Sequence, residues 1–268
     1  MTEPLVIRND ADGVSTLTLN RPEKLNALTL PMFAELRHHV DALTNDDSIG
    51  CVILTGRGRS FCAGNDLGGI AAAQETASSS DSDATSVATD SPSDKPEWRG
   101  NPHFQAETID ALEALPKPTI AKIRGHCFTG GLELALGCDL LVTAESAQLG
   151  DTHGQWGLVA SWGMTVRLPE RVGVARAKEL MFTARRITGL RAATIGLASS
   201  AVADAELDDA VAALAAEIVA NSWDTSRFDK AIMSDTANMA RPDALTYERS
   251  NPYGRPRDMA ERLNRGGR

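Results

Sequence analysis

Gly130 and Gly131, with Glu133 two residues further on, place bare main chain and a carboxylate within the short run Thr129-Gly130-Gly131-Leu132-Glu133. Paired glycines let backbone N–H groups approach a ligand closely, and a helix beginning there adds unpaired donors and the positive end of its dipole. Such donors count most when negative charge develops on a carbonyl oxygen, where losing one costs about 3 kcal/mol of transition-state stabilisation. The chemistry indicated is acyl chemistry through an oxyanion, with the Glu133 carboxylate in the first helical turn beside it. A carboxylate that merely complements a helix dipole is an equally open use of Glu133 taken alone. With Thr129 as N-cap, however, the capping-box acid belongs at Leu132, which leaves Glu133 for another task.

A second segment offers a matching donor. The apolar run Cys51–Thr55 has the character of a buried strand, and Phe61-Cys62-Ala63-Gly64-Asn65-Asp66-Leu67 follows it with the same order of small residues before a polar one. Alone, this is an ordinary strand-to-helix turn. Two such turns in one chain suggest two main-chain donors.

These two segments, with Asn20-Arg21-Pro22-Glu23-Lys24-Leu25-Asn26-Ala27-Leu28, resemble the crotonase (enoyl-CoA hydratase/isomerase) superfamily. Gly157-Leu158, Arg167-Leu168-Pro169, Val172-Gly173 and Ala177-Lys178-Glu179-Leu180 extend the resemblance over nearly the whole chain. It implies a thioester carbonyl held between the N–H groups of Asn65 and Gly130, with Glu133 at an acid/base position. The implied activity is that of a lyase adding water across the double bond of a 2-enoyl-CoA. Coenzyme A enters as part of the substrate, with no prosthetic group, and Lys24, Leu25, Ala27, Ala63, Asp66 and Leu67 are its implied contacts. A homotrimer or dimer of trimers, joined through C-terminal helices, is also implied.

One position departs from the hydratase pattern. After Ala147-Gln148-Leu149-Gly150, His153 stands where that pattern places a second glutamate. An imidazole titrates at pH ~6.5 and can donate or accept a proton at neutral pH, so the exchange does not by itself imply inactivity. If the segment is extended, alternation puts Asp151 on the same face, where it could orient the ring. A histidine satisfied in a loop is the plainer alternative. The open activities are therefore hydration, hydrolysis with His153 activating water, isomerisation, and acyl-CoA binding without turnover.

The elements that must position these residues follow an α/β pattern. Strand-like runs over Val14–Leu19, Cys51–Thr55, Thr119–Ile123 and Leu140–Thr143 alternate with helical patterns over Pro31–Leu43, Phe104–Leu115, Leu132–Leu136 and Ala175–Phe182. Thr29 is the expected cap of the first helix. Periodicity permits a doubly wound sheet as readily as a repeated ββα spiral, and the spiral rests on the resemblance. The expected division is a spiral core over 1–201 and a C-terminal helical oligomerisation region over 202–268. In that region helices are expected over Asp208–Asn221 and Ser226–Met239, then an irregular basic tail from Arg241. Within the core, 71–97 is poor in large apolar residues and suggests a flexible insertion, either a flap over the acyl pocket or passive.

Composition excludes several classes. A net charge of −9 disfavours a general nucleic-acid or anionic-membrane binder, and the absence of a signal pattern or long apolar run points to a cytoplasmic chain. The four cysteines lack metal-ligand spacing and are expected to be reduced and buried. No dinucleotide loop, Walker loop, paired-His metal motif or Gly-x-Ser-x-Gly elbow occurs. Trp156 and Trp162 are candidates to line an acyl pocket, although aromatics beside glycines more often serve packing.

Overall fold

The computed structural model describes residues 3–66 and 100–266. Leu67 and the 71–97 insertion lie outside the described residues. Strands β1 (Val6–Ala11) and β2 (Val14–Leu19) form a hairpin around Asp12-Gly13, whose positive φ values of 50° and 78° suit the tight turn that matches strand twist. β2 alternates as its sequence demands, burying Ser15, Leu17 and Leu19. β3 (Cys51–Gly56) is buried on both faces, as a parallel strand covered on each side must be.

From β3 onward the chain winds as a spiral. β4 (Thr119–Ile123) and β6 (Leu140–Ala144) extend the large sheet, and β9 (Ser200–Val202) closes it in the order β1-β2-β3-β4-β6-β9. β5 (His126–Phe128), β7 (Gln148–Gly150) and β8 (Ile187–Thr188) form a second sheet in the order β5-β7-β8. Successive turns therefore place one strand in each sheet and then a helix. This is the ββα spiral expected from the resemblance, and a doubly wound single sheet is excluded.

Helix α1 (Leu30–Thr44) starts at Thr29, whose hydroxyl accepts from Met32 N at 3.4 Å, and buries Met32, Phe33, Leu36, Val40 and Leu43 against the core. α2 (Phe104–Glu113) lies beside it. α3 (Gly130–Leu136) is buried along its whole length. α4 (Met164–Val172), α5 (Val174–Thr183) and α6 (Gly189–Thr194) complete the outer layer.

In the C-terminal region, α7 (Leu207–Ala220) sets Leu207, Val211 and Ala215 into the core. α8 (Trp223–Thr236) drives the Trp223 ring against Gly13 and Gly50, where added Cβ atoms would fall 2.9 and 2.4 Å from it. The tail expected to be irregular from Arg241 is instead helical in α9 (Arg241–Arg249) and α10 (Met259–Gly266). Pro242 opens α9, because a proline in the first turn lacks only an N–H that would go unused. Asp224 locks the tail in place by accepting from the Arg257 guanidinium at 2.9 Å. No helix among the described residues is long and apolar enough to cross a membrane.

Candidate active site

Two short main-chain segments meet beside α3. Cys62 and Cys127 form a parallel bridge in which Cys62 N donates to His126 O at 2.9 Å and Phe128 N donates to Cys62 O at 3.1 Å. That bridge carries Ala63–Asn65 and Phe128–Gly130 along side by side. Gly131 permits the approach, since a Cβ there would fall 2.6 Å from the Cys62 carbonyl. Gly64, at φ 108°, turns the chain, and a Cβ on it would lie 3.1 Å from Phe128 O and 3.7 Å from Gly130 N.

The turn also decides where Asn65 points. Leu28 N donates to Gly64 O at 2.8 Å and Asp66 N donates to Leu28 O at 3.0 Å. In such a parallel bridge the N–H of Asn65 faces away from Leu28. Neither that N–H nor the Gly130 N–H, in the first turn of α3, has a hydrogen-bond acceptor among the described residues. Asn65 and Gly130 line one cavity of about 250 Å³ with Glu133, His153, Trp162 and Arg186. A wider groove of about 1090 Å³, between α2, α4 and the C-terminal helices, is lined by none of Asn65, Gly130, Glu133 and His153.

Glu133 is only 1% exposed. Its Oε1 accepts from Trp162 N at 2.8 Å and Met164 N at 3.2 Å, so the Trp162–Met164 turn grips one oxygen. Oε2 is left 3.6 Å from His153 Nε2. Thr129 occupies the N-cap position, but its side chain does not cap α3. Its hydroxyl pairs with that of Thr152 at 2.5 Å, while its backbone sits at φ 53°, a strained conformation for a β-branched residue.

Asp151 and His153 do meet, by a route other than strand alternation. β7 ends at Gly150 and His153 opens a short 3-10 turn over His153–Trp156. Asp151 Oδ1 accepts both from His153 N at 3.1 Å and from His153 Nδ1 at 2.6 Å. This local turn, in which an Asp side chain caps the backbone two residues on, replaces the extended geometry expected from the sequence. Since a carboxylate only accepts, Nδ1 carries the proton and Nε2 is the nitrogen presented to Glu133.

The charges perturb one another. Burial raises the Glu133 carboxyl above its ordinary range, against the pull of the Trp162 and Met164 amides and of His153. Burial opposes the charge on His153, but Asp151 and Glu133 outweigh it and raise the imidazole above its ordinary value. All four cysteines are free and buried. Burial pushes the thiols of Cys51, Cys62 and Cys138 up to about 12, which keeps them protonated and inert.

The loop before α1 supports the Asn65 turn from behind. Asn26 is fully buried at φ 56°, and its Nδ2 donates to Arg57 O, Ser60 O and Phe61 O at 3.1, 2.8 and 3.1 Å. Ala63 N donates to Leu25 O at 3.0 Å. Arg21 bridges Ala27 O at 2.7 Å and the Asp66 carboxylate at 3.0 Å, so Asp66 has a structural partner besides any ligand role. Lys24 is exposed on the same loop, Leu25 and Ala27 flank Asn26, and Ala63 lines the cavity. Nothing in the sequence marks Arg21 as an anchor, and the one signal for Asn26 is that an asparagine beside a proline-initiated turn suits left-handed backbone. Trp156 and Trp162 both line the cavity, and Trp162 also packs edge-on against Phe33 with ring centroids 5.1 Å apart.

The enoyl-CoA hydratase/isomerase family profile matches residues 9–260. The chain belongs to this family, and hence to the crotonase superfamily. It is 30% identical to the probable enoyl-CoA hydratase 1, peroxisomal, of Arabidopsis thaliana, over 92% of this chain and 84% of that one. It is 32% identical to the peroxisomal Delta(3,5)-Delta(2,4)-dienoyl-CoA isomerase of the same plant, over 92% and 86%. Among solved structures, the enoyl-CoA hydratase of Bacillus anthracis superposes with a TM-score of 0.83 at 30% identity, covering 97% of this chain and 95% of that one. Relatives of equal similarity thus carry hydratase and isomerase names, and similarity of this degree does not choose between them.

Proposed function

We propose that this member of the family is a hydro-lyase that adds water across a 2-enoyl-CoA. The observation that carries the reading is the 3.6 Å approach of Glu133 Oε2 to His153 Nε2 in the cavity lined by the Asn65 and Gly130 amides. The thioester oxygen sits between those amides. Glu133 takes a proton from water as the water oxygen bonds to C3, and the π electrons move to the thioester oxygen as an enolate held by the two N–H groups. The enolate then collapses and C2 takes the Nε2 proton of His153 in its doubly protonated form, the Nδ1 proton staying on the bond to Asp151. Transfer of the acquired proton from Glu133 to His153 across the short gap restores both groups. Lys24, Leu25, Ala27, Ala63 and Asp66 are proposed to border the CoA moiety, and the C-terminal helical region beyond 202 to carry self-association.

A spectrophotometric assay following loss of the conjugated enoyl thioester, over acyl chains of graded length, tests the reading. Turnover that falls sharply in both Glu133→Gln and His153→Ala supports it, and full turnover in Glu133→Gln rejects it. The Asp151–His153 pair at 2.6 Å specifically favours one second reading, hydrolysis by a His-activated water. Release of free CoA thiol in step with substrate loss would select that reading.

A further inference from the structure

One cation in the cavity has no task in the reaction just described. Arg186 lies in the turn between α5 and β8 and lines the same wall as Phe128, Thr129 and Gly130. Its guanidinium carbon sits 4.7 Å above the centre of the Phe128 ring. Other arginines near the site are committed: Arg21 to Asp66, Arg167 to Asp110 and Glu113, and Arg185 to Glu179. Arg186 pairs with no carboxylate among the described residues. Nor does it neutralise Glu133, whose oxygens face the Trp162 and Met164 amides and His153.

Stacking on an aromatic face fixes the plane of a guanidinium while leaving its edge N–H groups free, and a planar fork of that kind matches a carboxylate. The cavity, at about 250 Å³, is smaller than the ~300–1,000 Å³ of most ligand pockets, so it suits a short acyl chain and leaves no group in it far from the oxyanion amides. Phe128 stands only two residues before Gly130. Arg186, itself exposed at the edge of the cavity, lines it together with Asn65 and Gly130, so an acyl group whose thioester oxygen those two amides hold shares the cavity with the guanidinium.

We propose that Arg186 recognises an anionic group on the acyl chain, so that the preferred substrates are short 2-enoyl thioesters ending in a carboxylate. The inference rests on the hydratase reading for the reaction, but the binding it describes does not need turnover. The neutral wall of Phe128, Leu158 and Trp162 gives the chain its apolar contacts, and Arg186 supplies the selectivity for its end.

The test uses a matched pair of five-carbon 2-enoyl-CoA thioesters, one ending in a carboxylate and the other in its methyl ester, and compares kcat/KM in wild type, Arg186→Met and Arg186→Lys. The wild type is expected to favour the carboxylate at least ten-fold, Arg186→Met to bring the ratio near one, and Arg186→Lys to retain part of it. Calorimetric Kd values for the corresponding saturated thioesters, in wild type and Arg186→Met, follow the same preference without catalysis. A binding preference without turnover would reject the hydratase reading and leave this proposal standing. An equal affinity of wild type for the two saturated thioesters overturns it. So does a loss in Arg186→Met that is as large for free CoA as for the carboxylate thioester, since the guanidinium would then serve a CoA phosphate.

Discussion

On one side of the cavity, Cys62–Asp66 and Phe128–Gly131 present main-chain amides set by packing, whereas on the other Glu133, Asp151 and His153 present side chains set by charge. The first wall depends on what is missing: at Gly64, Gly130 and Gly131 an added Cβ would meet Phe128 O, the Trp162 ring and Cys62 O. The second depends on pairs, each group holding the next in a particular protonation state. Backbone donors tolerate any neighbouring side chain that leaves the turn in place. A histidine stands at 153 where the hydratase pattern has glutamate, and the scheme proposed above gives it the proton-carrying role.

The largest effect is expected where the second wall meets the substrate. Glu133→Gln keeps an oxygen for the Trp162 and Met164 amides but loses the base, so kcat is expected to fall by about 10²- to 10⁴-fold in the enoyl assay. Its stability is expected to move the other way. The folded-state value of Glu133 is raised above the unfolded one, so its stabilising contribution is complete at low pH and is lost as pH rises through the folded value. Thermal scans should show Glu133→Gln at or above wild type at pH 7, with the difference gone near pH 4. A Gln variant clearly less stable at pH 7 would mean that the ionised carboxylate anchors the fold.

Next in size is the first wall. Gly64→Ala must hold φ 108° with a Cβ 3.1 Å from Phe128 O, which displaces the Asn65 amide. A loss of about 10²- to 10³-fold in kcat is expected, with the acid/base pH profile unchanged in shape. A shifted profile would show that the walls are not separable. Behind the same wall, Asn26→Ala strands the three carbonyls that Asn26 satisfies. Urea unfolding should report a destabilisation of about 2 kcal/mol.

The smallest effect sharpens the description of the second wall. Asp151 helps hold the His153 imidazole above its ordinary value, so Asp151→Asn lowers it and moves the alkaline limb of kcat to lower pH. The rate at the optimum should fall by about ten-fold. An alkaline limb that stays in place would take His153 out of the proton-transfer scheme.

The first wall was legible in sequence because glycine has few uses besides close approach and unusual φ, and two glycine-bearing turns in family order leave little freedom. Strands such as Val14–Leu19 and Thr119–Ile123 were equally plain, being long enough for alternation or continuous burial to register. β5, β7 and β8, of two or three residues, are too short to carry a period, and exist through pairing with distant neighbours. The Asp151–His153 contact followed from sequence nearness, but its geometry did not, since a capped turn and a strand end both bring residues two apart together. Arg186 gave no sign at all. Its meaning comes from the ring of Phe128, 58 positions earlier in the chain.

The hydroxyl contact between Thr129 and Thr152 reaches across this division. One threonine immediately precedes Gly130 and the other immediately precedes His153, so a single bond splices the start of α3 to the histidine turn. Transplanting a different acid into the histidine position, by selection or by design, therefore carries a hidden dependency: the graft must bring a companion at 152 able to keep its neighbour across the cleft in an uncomfortable twist, or the amide next door drifts with it.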